Sequence, residues 1–264
     1  LVKDEHGIIY AGIGGDAGYA FNSDGSIRWF RAFSNDPSSP RQLIQVEQNV
    51  LYAERNQTIS ALSTQDGQQI WSKTTSSGGF IGGISVANGV VYVTSYVLAS
   101  DPQAESTSYV EAYRATDGAL VWQSRPLNQS LFAAPVVANG LVYVGSPNSQ
   151  VYALNVENGQ VKWHQNAGHS VFAPPYISDR ILVIGTSGVD DAHIIAYNAV
   201  TGTQKWSHPS FSFDGPSNEH MFVSANRVYY GFNGSIHVLN LANGQQIAAF
   251  TAGSGTDTRF TVVE

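Results

Sequence analysis

A chain of 264 residues with 42% hydrophobic side chains is long enough for one large domain or two small ones, and apolar enough to bury a core. Only 12% of residues are charged and the formal net charge is −7, with 13 Lys and Arg scattered along the chain. This argues against nucleic acid or an acidic membrane surface as a partner, because both require clustered basic side chains. The absence of cysteine excludes disulfides, thiolate metal sites and cysteine nucleophiles, and no run of apolar residues is long enough for a membrane-spanning helix, so no membrane insertion is expected.

In chain order, the first pattern is an apolar strand with an aromatic, Gly7-Ile-Ile-Tyr10. It is followed by Ala20, the turn Asp24-Gly25 and Trp29. The same signals return as Asn49-Val-Leu-Tyr52 with Ala61, Asp66-Gly67 and Trp71, then as Gly89-Val-Val-Tyr92 with Ala112, Asp117-Gly118 and Trp122. Next come Gly140-Leu-Val-Tyr143 with Ala153, Asn158-Gly159 and Trp163, and Arg180-Ile-Leu-Val183 with Ala196, Thr201-Gly202 and Trp206. The sixth copy is Arg227-Val-Tyr-Tyr230 with Val238 and Asn243-Gly244, and Ala248 stands where the others have Trp. All five tryptophans of the chain therefore occupy one position of the repeat. Further apolar stretches such as Ala134-Pro-Val-Val-Ala138 precede these runs, so each copy predicts four short strands, A to D, joined by tight turns. Asn-Gly and Asp-Gly suit such turns because type I′ geometry needs positive φ at both central residues. No window carries a sustained helical period.

A four-stranded unit of this length cannot bury both of its faces alone. Repeats of about 40–50 residues with four strands each are the mark of a β-propeller, whose blades stack face to face. The expected fold is all-β: a single six-bladed β-propeller domain over residues 1–264, built of four-stranded antiparallel blades. Trp on strand D fills the gap to the next blade, and the small residue on strand C leaves room for it. Closure is expected from the C-terminal stretch Thr258–Glu264, which is similar to the strand A stretch Phe132–Val137 and should pair with Ile8–Ala11 of the first copy. The chain opens with Leu1 rather than Met, as a mature or excised domain would.

Ala153 to Trp163 reads Ala-x-Asn-x-x-Asn-Gly-x-x-x-Trp, which resembles the PQQ-like (quinoprotein-type) repeat. That family includes quinoprotein alcohol dehydrogenases, a propeller lipoprotein of outer-membrane barrel assembly, and sensor domains of receptor kinases. The resemblance covers essentially the whole chain, and it implies fold more strongly than function. The chain departs from the dehydrogenase pattern, which has eight blades and in many members holds the quinone against adjacent disulfide-bonded cysteines. The resemblance therefore implies a non-catalytic branch, with no cofactor, working outside the cytoplasm: periplasmic, secreted, or the outward part of a receptor.

In a propeller the B–C loops and D–A connections share one face, and the short A–B and C–D turns share the other. Here the short turns are uniform and the other loops vary, and variable loops on a rigid scaffold are where function usually sits. Arg41 and Arg259 lie just before a strand A, as do Glu219 and His220, with Asp214 in the same connection. Arg55, Asp190, Asp191 and His193 lie on B–C loops. Arginine can hold an anion bidentately, and carboxylate with imidazole can bind polar groups or move protons. Such a lining favours a small polar or zwitterionic ligand, or a protein or peptide partner, at the channel face. Pairing of these groups with one another is the alternative. No tight ligand spacing such as His-x-x-x-His points to a metal site.

The recurrent Phe80, Phe132, Phe172 and Phe260 read as packing residues because they repeat, whereas Phe211 and Phe213 do not repeat and are candidates for exposed contacts. The polar insertion Ser95–Ser108 lengthens the third copy, either as a solvated hairpin extension or as a flap or partner-contact arm. Gly12-Ile-Gly14-Gly-Asp-Ala17 loosely matches a dinucleotide fingerprint, but strands rather than a strand and a helix flank it. The expected function is a ligand-sensing or protein-interaction module, not an enzyme. A quinoprotein-like dehydrogenase or other channel-face enzyme is the alternative.

Overall fold

The computed structural model describes residues 1–13, 17–32, 42–99, 106–128, 131–188, 191–210, 221–232 and 235–251. Among them it is all β, with no helix, and the strands form six antiparallel sheets in meander order. The first sheet holds β1 (Val2–Lys3), β2 (Ile9–Ile13), β3 (Ala17–Phe21) and β4 (Ile27–Ala32). The second holds β5 (Gln42–Glu47), β6 (Val50–Arg55), β7 (Thr58–Ser63) and β8 (Gln69–Thr74). The third holds β9 (Phe80–Ala87), β10 (Val90–Val97), β11 (Thr107–Arg114) and β12 (Leu120–Gln123), with a fifth strand, β13 (Leu127–Asn128), on β11. The fourth is β14 (Val136–Ala138), β15 (Leu141–Gly145), β16 (Gln150–Asn155) and β17 (Val161–Asn166). The fifth is β18 (Tyr176–Ser178), β19 (Ile181–Gly185), β20 (His193–Asn198) and β21 (Gln204–Pro209). The sixth is β22 (Met221–Ser224), β23 (Arg227–Phe232), β24 (Ser235–Asn240) and β25 (Gln246–Thr251). These are the six four-stranded blades expected from the repeat. They fall into two compact units, Leu1–Ser130 with the first three sheets and Leu131–Glu264 with the last three.

Among the described residues four A–B turns carry positive φ at both central residues, at Gln48 and Asn49, Asn88 and Gly89 (53° and 74°), Asn139 and Gly140 (53° and 74°), and Ala225 and Asn226, whereas the fifth sheet's turn does so at Asp179 alone. Positive φ at both residues is the type I′ geometry whose twist matches the flanking strands. Each strand C meets its strand D through a register shift placed just after the small residue, at Ala20, Ala61, Ala112, Ala153, Ala196 and Val238. Such bulges raise the local twist.

The core lies between consecutive sheets. Within the first unit Tyr10, Ala20 and Trp29 pack on Leu51, Ala53 and Leu62, and Tyr52, Ile59 and Trp71 pack on Ile84, Val91 and Val93. Within the second, Tyr143, Val151 and Trp163 pack on Leu182, Ile184 and Tyr197, and Ile194 and Trp206 pack on Val228, Tyr230 and Leu239. Each of these tryptophans also donates its indole N–H to a backbone carbonyl of the following sheet: Trp29 to Thr64 at 2.9 Å, Trp71 to Ala115 at 2.8 Å, Trp163 to Ala199 at 2.9 Å and Trp206 to Leu241 at 2.8 Å.

The C–D glycine has a second reason to be glycine besides its turn. A Cβ on Gly202, at φ +74°, would stand 2.7 Å from Trp163, and one on Gly244, at φ +72°, would stand 2.6 Å from Trp206. The indole therefore lies on bare backbone of the next repeat. Phe250, two residues beyond Ala248 on β25, is 61% exposed.

The closing strand expected at 258–264 lies outside the described residues. The edge of β2 on which it was expected is occupied at Tyr10 and Ile9 by Val2 and Lys3. The first residues of the chain are thus strand A of their own sheet rather than a leader to strand B.

Candidate functional site

The B–C loops and D–A connections are joined by a hydrogen-bond pattern that repeats. The connection leaving strand D bonds back to the B–C loop of its own sheet: Thr75 N–H to Gln57 C=O at 2.8 Å, Ala167 to Ser149 at 2.7 Å and Ser210 to Ala192 at 2.8 Å. The same loop then accepts from further along the chain, as Asn56 C=O does from Ile81 N–H on β9 at 2.7 Å and Ser146 C=O from Val171 N–H in the connection ahead of β18 at 3.0 Å. Backbone groups that a loop would otherwise leave to water are satisfied within this ridge, so its side chains stand on a fixed base.

Of the residues selected from sequence, Arg41, Asp190, Glu219, His220 and Arg259 lie outside the described residues, as do Asp214, Phe211, Phe213 and Phe260. Arg55 ends β6 in the first unit, half-buried and engaged with its surroundings. In the second unit Asp191 and His193 are brought together, with a partner that local sequence did not suggest. Asp191 Oδ2 lies 2.9 Å from His169 Nε2 on the preceding D–A connection, and its Oδ1 lies 3.4 Å from His193 Nδ1. Asp191 is 61% exposed at its side chain, so this is a solvated bridge between two loops. Among the described residues no group of three His, Asp or Glu side chains is arranged to hold a metal ion.

A second imidazole cluster lies between the fifth and sixth sheets. Tyr230 stacks on His237 with ring centroids 4.9 Å apart, and its hydroxyl lies 3.3 Å from His208 Nε2. Burial, then the charge of His237, pushes the His208 pKa below its usual value.

Two acids in the first unit escaped the reading of the sequence. Glu111, wholly buried in β11, accepts from the backbone N–H groups of Ser76 at 2.8 Å and Ser77 at 3.1 Å, from Ser95 Oγ at 2.7 Å, and from the Tyr113 hydroxyl. Burial alone would raise its pKa, but these bonds outweigh it and hold the carboxyl below its ordinary value. Glu54, next to Arg55 on β6, has a buried Oε2 with no hydrogen-bond partner, and burial pushes its pKa up to about 7. The signal for Glu111 was an acid inside the apolar run Tyr109-Val-Glu-Ala-Tyr113.

The packing expectation is overturned at Phe80, Phe132 and Phe172, while Phe260 lies outside the described residues. Phe80, Phe132 and Phe172 are 36%, 46% and 52% exposed. The reason is alternation: Leu131 and Ala133, and likewise Val171 and Ala173, take the buried side and turn the ring between them outward. The insertion in the third copy extends the B–C hairpin, with β10 and β11 paired as far as Val97 and Thr107, while β13 covers Thr107 and Ser108. Residues 100–105 at its tip lie outside the described residues. Gly12 pairs with Gly18 across β2 and β3, so no helix follows the glycine run and the dinucleotide reading is excluded.

The family model described as outer membrane protein assembly factor BamB matches residues 5–104 and 106–259. A BamB of Yersinia pestis is 30% identical over 158 residues, which are 54% of this chain and 39% of that protein, so the chain matches well under half the length of that relative. A tetrathionate hydrolase of Acidithiobacillus ferrooxidans is 25% identical over 61% of this chain and 35% of its own length. The quinoprotein alcohol dehydrogenase PedH of Pseudomonas putida is 27% identical over 47% of this chain and 22% of its own length. Among solved structures, BamB of Moraxella catarrhalis superposes with a TM-score of 0.68 at 16% identity, covering 99% of this chain and 78% of that one, which speaks for the fold. The six blades of PQQ-like repeats and the match over nearly the whole chain agree: this chain belongs to the BamB family of PQQ-like propellers.

Proposed function

We propose that this chain is a non-catalytic interaction module that works outside the cytoplasm in the assembly of outer membrane proteins, and that it meets a protein partner through the ridge of B–C loops and D–A connections. The observation that carries this reading is the family match over residues 5–104 and 106–259 to an assembly factor. The ridge supports it in two ways. Its backbone is internally satisfied, and it presents Phe132 and Phe172 half-exposed at equivalent places on neighbouring sheets of the second unit. Aromatic side chains on a rigid base are the usual anchors of protein interfaces. The Arg, carboxylate and imidazole groups of the same loops, Arg41, Arg55, Asp190, Asp191, His193, Glu219, His220 and Arg259, supply a polar rim or a seat for a peptide terminus.

The test is photo-crosslinking in intact cell envelopes, with the probe at Phe132 and Phe172 on the ridge and at Asn158 and Thr201 on the C–D turns. Adducts with outer-membrane assembly proteins are expected from the first pair and not from the second. Equal adducts from both pairs, or none from either, would overturn the assignment of the surface.

A second reading, an oxidoreductase or hydrolase, is favoured by the matches to PedH and to tetrathionate hydrolase. Adding pyrroloquinoline quinone with calcium and following dye reduction by alcohols, or following tetrathionate consumption, separates the two. Turnover in either assay would replace the non-catalytic reading.

A further inference from the structure

Glu111 is the one wholly buried acid among the described residues, and its site is built for a charged carboxylate. Oε2 accepts from the Ser76 N–H and the Tyr113 hydroxyl, and Oε1 from the Ser77 N–H and the Ser95 hydroxyl. Gln123 Nε2 approaches Oε1 at 3.5 Å. The partners come from four places: Tyr113 on β11 itself, Ser95 on β10, Gln123 on β12, and Ser76 and Ser77 on the connection between the second and third sheets. Tyr113 is the only titratable group among them, and no charged side chain of the described residues pairs with Glu111.

The connection that Glu111 grips is also tied on its other side. Thr75 N–H bonds to Gln57 C=O at 2.8 Å, and Ile81 N–H bonds to Asn56 C=O at 2.7 Å, in the turn that follows Arg55. Within the connection Thr75 Oγ1 bonds to Gly79 C=O at 2.7 Å and Gly79 N–H to Ser77 Oγ at 3.1 Å. The carboxylate and the turn beside Arg55 are therefore the two ends of one bonded bridge. The position is individual to the third repeat. The residue before the small strand C residue is Tyr19, Ser60, Tyr152, Ile195 and His237 in the other repeats.

We propose that Glu111 is an acid-releasable pin for the ridge of the first unit: ionised, it fixes the connection 75–79 and through it the turn at Asn56 and Gln57 beside Arg55, and protonated, it lets the connection go. The proposal deepens the docking reading above and rests on it for its biological use. The physical reason is the loss of charge from the acceptor. Each carboxylate oxygen accepts from an N–H and an O–H, and Ser76 N–H also reaches the Tyr113 hydroxyl oxygen at 2.7 Å. Protonation removes the charge that strengthens these bonds and sets the carboxyl proton in competition with the two hydroxyl donors, so Ser76 and Ser77 N–H are then held only by weaker neutral bonds. The sign follows from the depressed pKa. The contribution is fully present above the ordinary glutamate range and is lost as pH falls through the lower folded value.

The test is hydrogen–deuterium exchange of the whole chain, read as protection factors in peptides covering 75–79, from neutral pH down through the acid range. Wild type should be protected at neutral pH and should lose tenfold or more in a one-proton step below the ordinary glutamate range. Peptides around Trp163 and Ala199 in the second unit should keep their protection through that step. Glu111→Gln should be less protected already at neutral pH and should lack the step. Tyr113→Phe and Ser95→Ala, which remove donors to the charged form, should move the step to higher pH, and they carry the test if Glu111→Gln does not fold. A step that persists in Glu111→Gln, or one unmoved in both other variants, would overturn the pin. Exchange reads the pin whether or not a partner is captured. Loss of partner crosslinks with the step intact counts against the docking reading alone.

Discussion

The C–D turns and the B–C/D–A ridge terminate the same strands at opposite ends, and they are built on different terms. At the turns one arrangement recurs: a glycine at positive φ, the preceding sheet's indole lying on it, and an indole N–H bonded to a nearby carbonyl, as for Gly202 with Trp163 and Gly244 with Trp206. At the ridge only the backbone bonds recur. The side chains differ from sheet to sheet: a buried acid gripping the connection after β8, and a solvated Asp191 between two imidazoles in the fifth sheet. Repetition at one end holds the sheets in register, which leaves the other end free to vary without loss of the fold.

The comparison breaks most visibly at the turns. Trp163→Ala should cost ~3–5 kcal/mol, because it removes a partly buried ring packed on the next sheet, together with its hydrogen bond. Denaturant unfolding followed by the remaining tryptophans measures it, and a cost under ~1 kcal/mol would mean that the seam is not the main support. Gly202→Ala attacks the same seam from the other side, since its Cβ would meet Trp163 at 2.7 Å on a backbone with φ +74°. It should be destabilising by more than ~1 kcal/mol.

The next largest effect is expected at the ridge end of β6. The Glu54 pKa is raised to about 7 by burial, so its contribution is intact at acid pH and is lost as pH rises from the ordinary glutamate range through about 7. Above that value the buried charge costs on the order of 3 kcal/mol. Glu54→Gln should therefore raise the melting temperature at pH 8 and change it little at pH 5. The same gain at both values would show that ionisation is not the cause.

Asp191→Asn should cost less than ~1 kcal/mol, because an exposed ion pair is worth little and is screened by salt. A larger loss, or one indifferent to ionic strength, would make that bridge a structural element like the seams. The smallest effect returns to a turn. Ala225, with φ +47°, stands in the left-handed region at the place of Asn88 and Asn139, without the short polar side chain that eases this conformation in Asn. Ala225→Gly should stabilise the sixth sheet by a few tenths of a kcal/mol up to ~1 kcal/mol, readable as a shift in denaturation midpoint.

The same contrast explains what could be read from the chain of letters. The four-stranded repeat was legible because Trp, Gly and the small strand C residue recur at fixed separations, and each marks a contact that recurs between successive sheets within each unit. The glycines were legible only by half. Their turn role follows from Asn-Gly and Asp-Gly pairs, whereas the indole lying on Gly67, Gly118, Gly202 and Gly244 is contributed by the preceding repeat and has no local mark. At the ridge, proximity in sequence brought out Asp191 with His193, but not His169, which reaches Asp191 from 22 residues away through a loop crossing. Glu111 was hidden because its donors are backbone N–H groups and hydroxyls, which no side-chain motif announces. The phenylalanines were misread because recurrence was taken to mean burial. Recurrence marks equivalence of place, and here the place faces outward.

The indole resting on the next repeat's glycine has a consequence for how such a chain can change over generations. Because Trp29, Trp71, Trp163 and Trp206 each belong to one copy but are seated in the following one, no copy carries a complete joint within its own borders. A segment copied or deleted from one indole to the next leaves every remaining plug with a socket, whereas a cut elsewhere leaves an orphan of one kind or the other. Coupling of this nearest-neighbour kind also lets damage stay local within a run of repeats. The interval between successive tryptophans, more than any single sheet, is then the unit in which this architecture can be lengthened, shortened or exchanged.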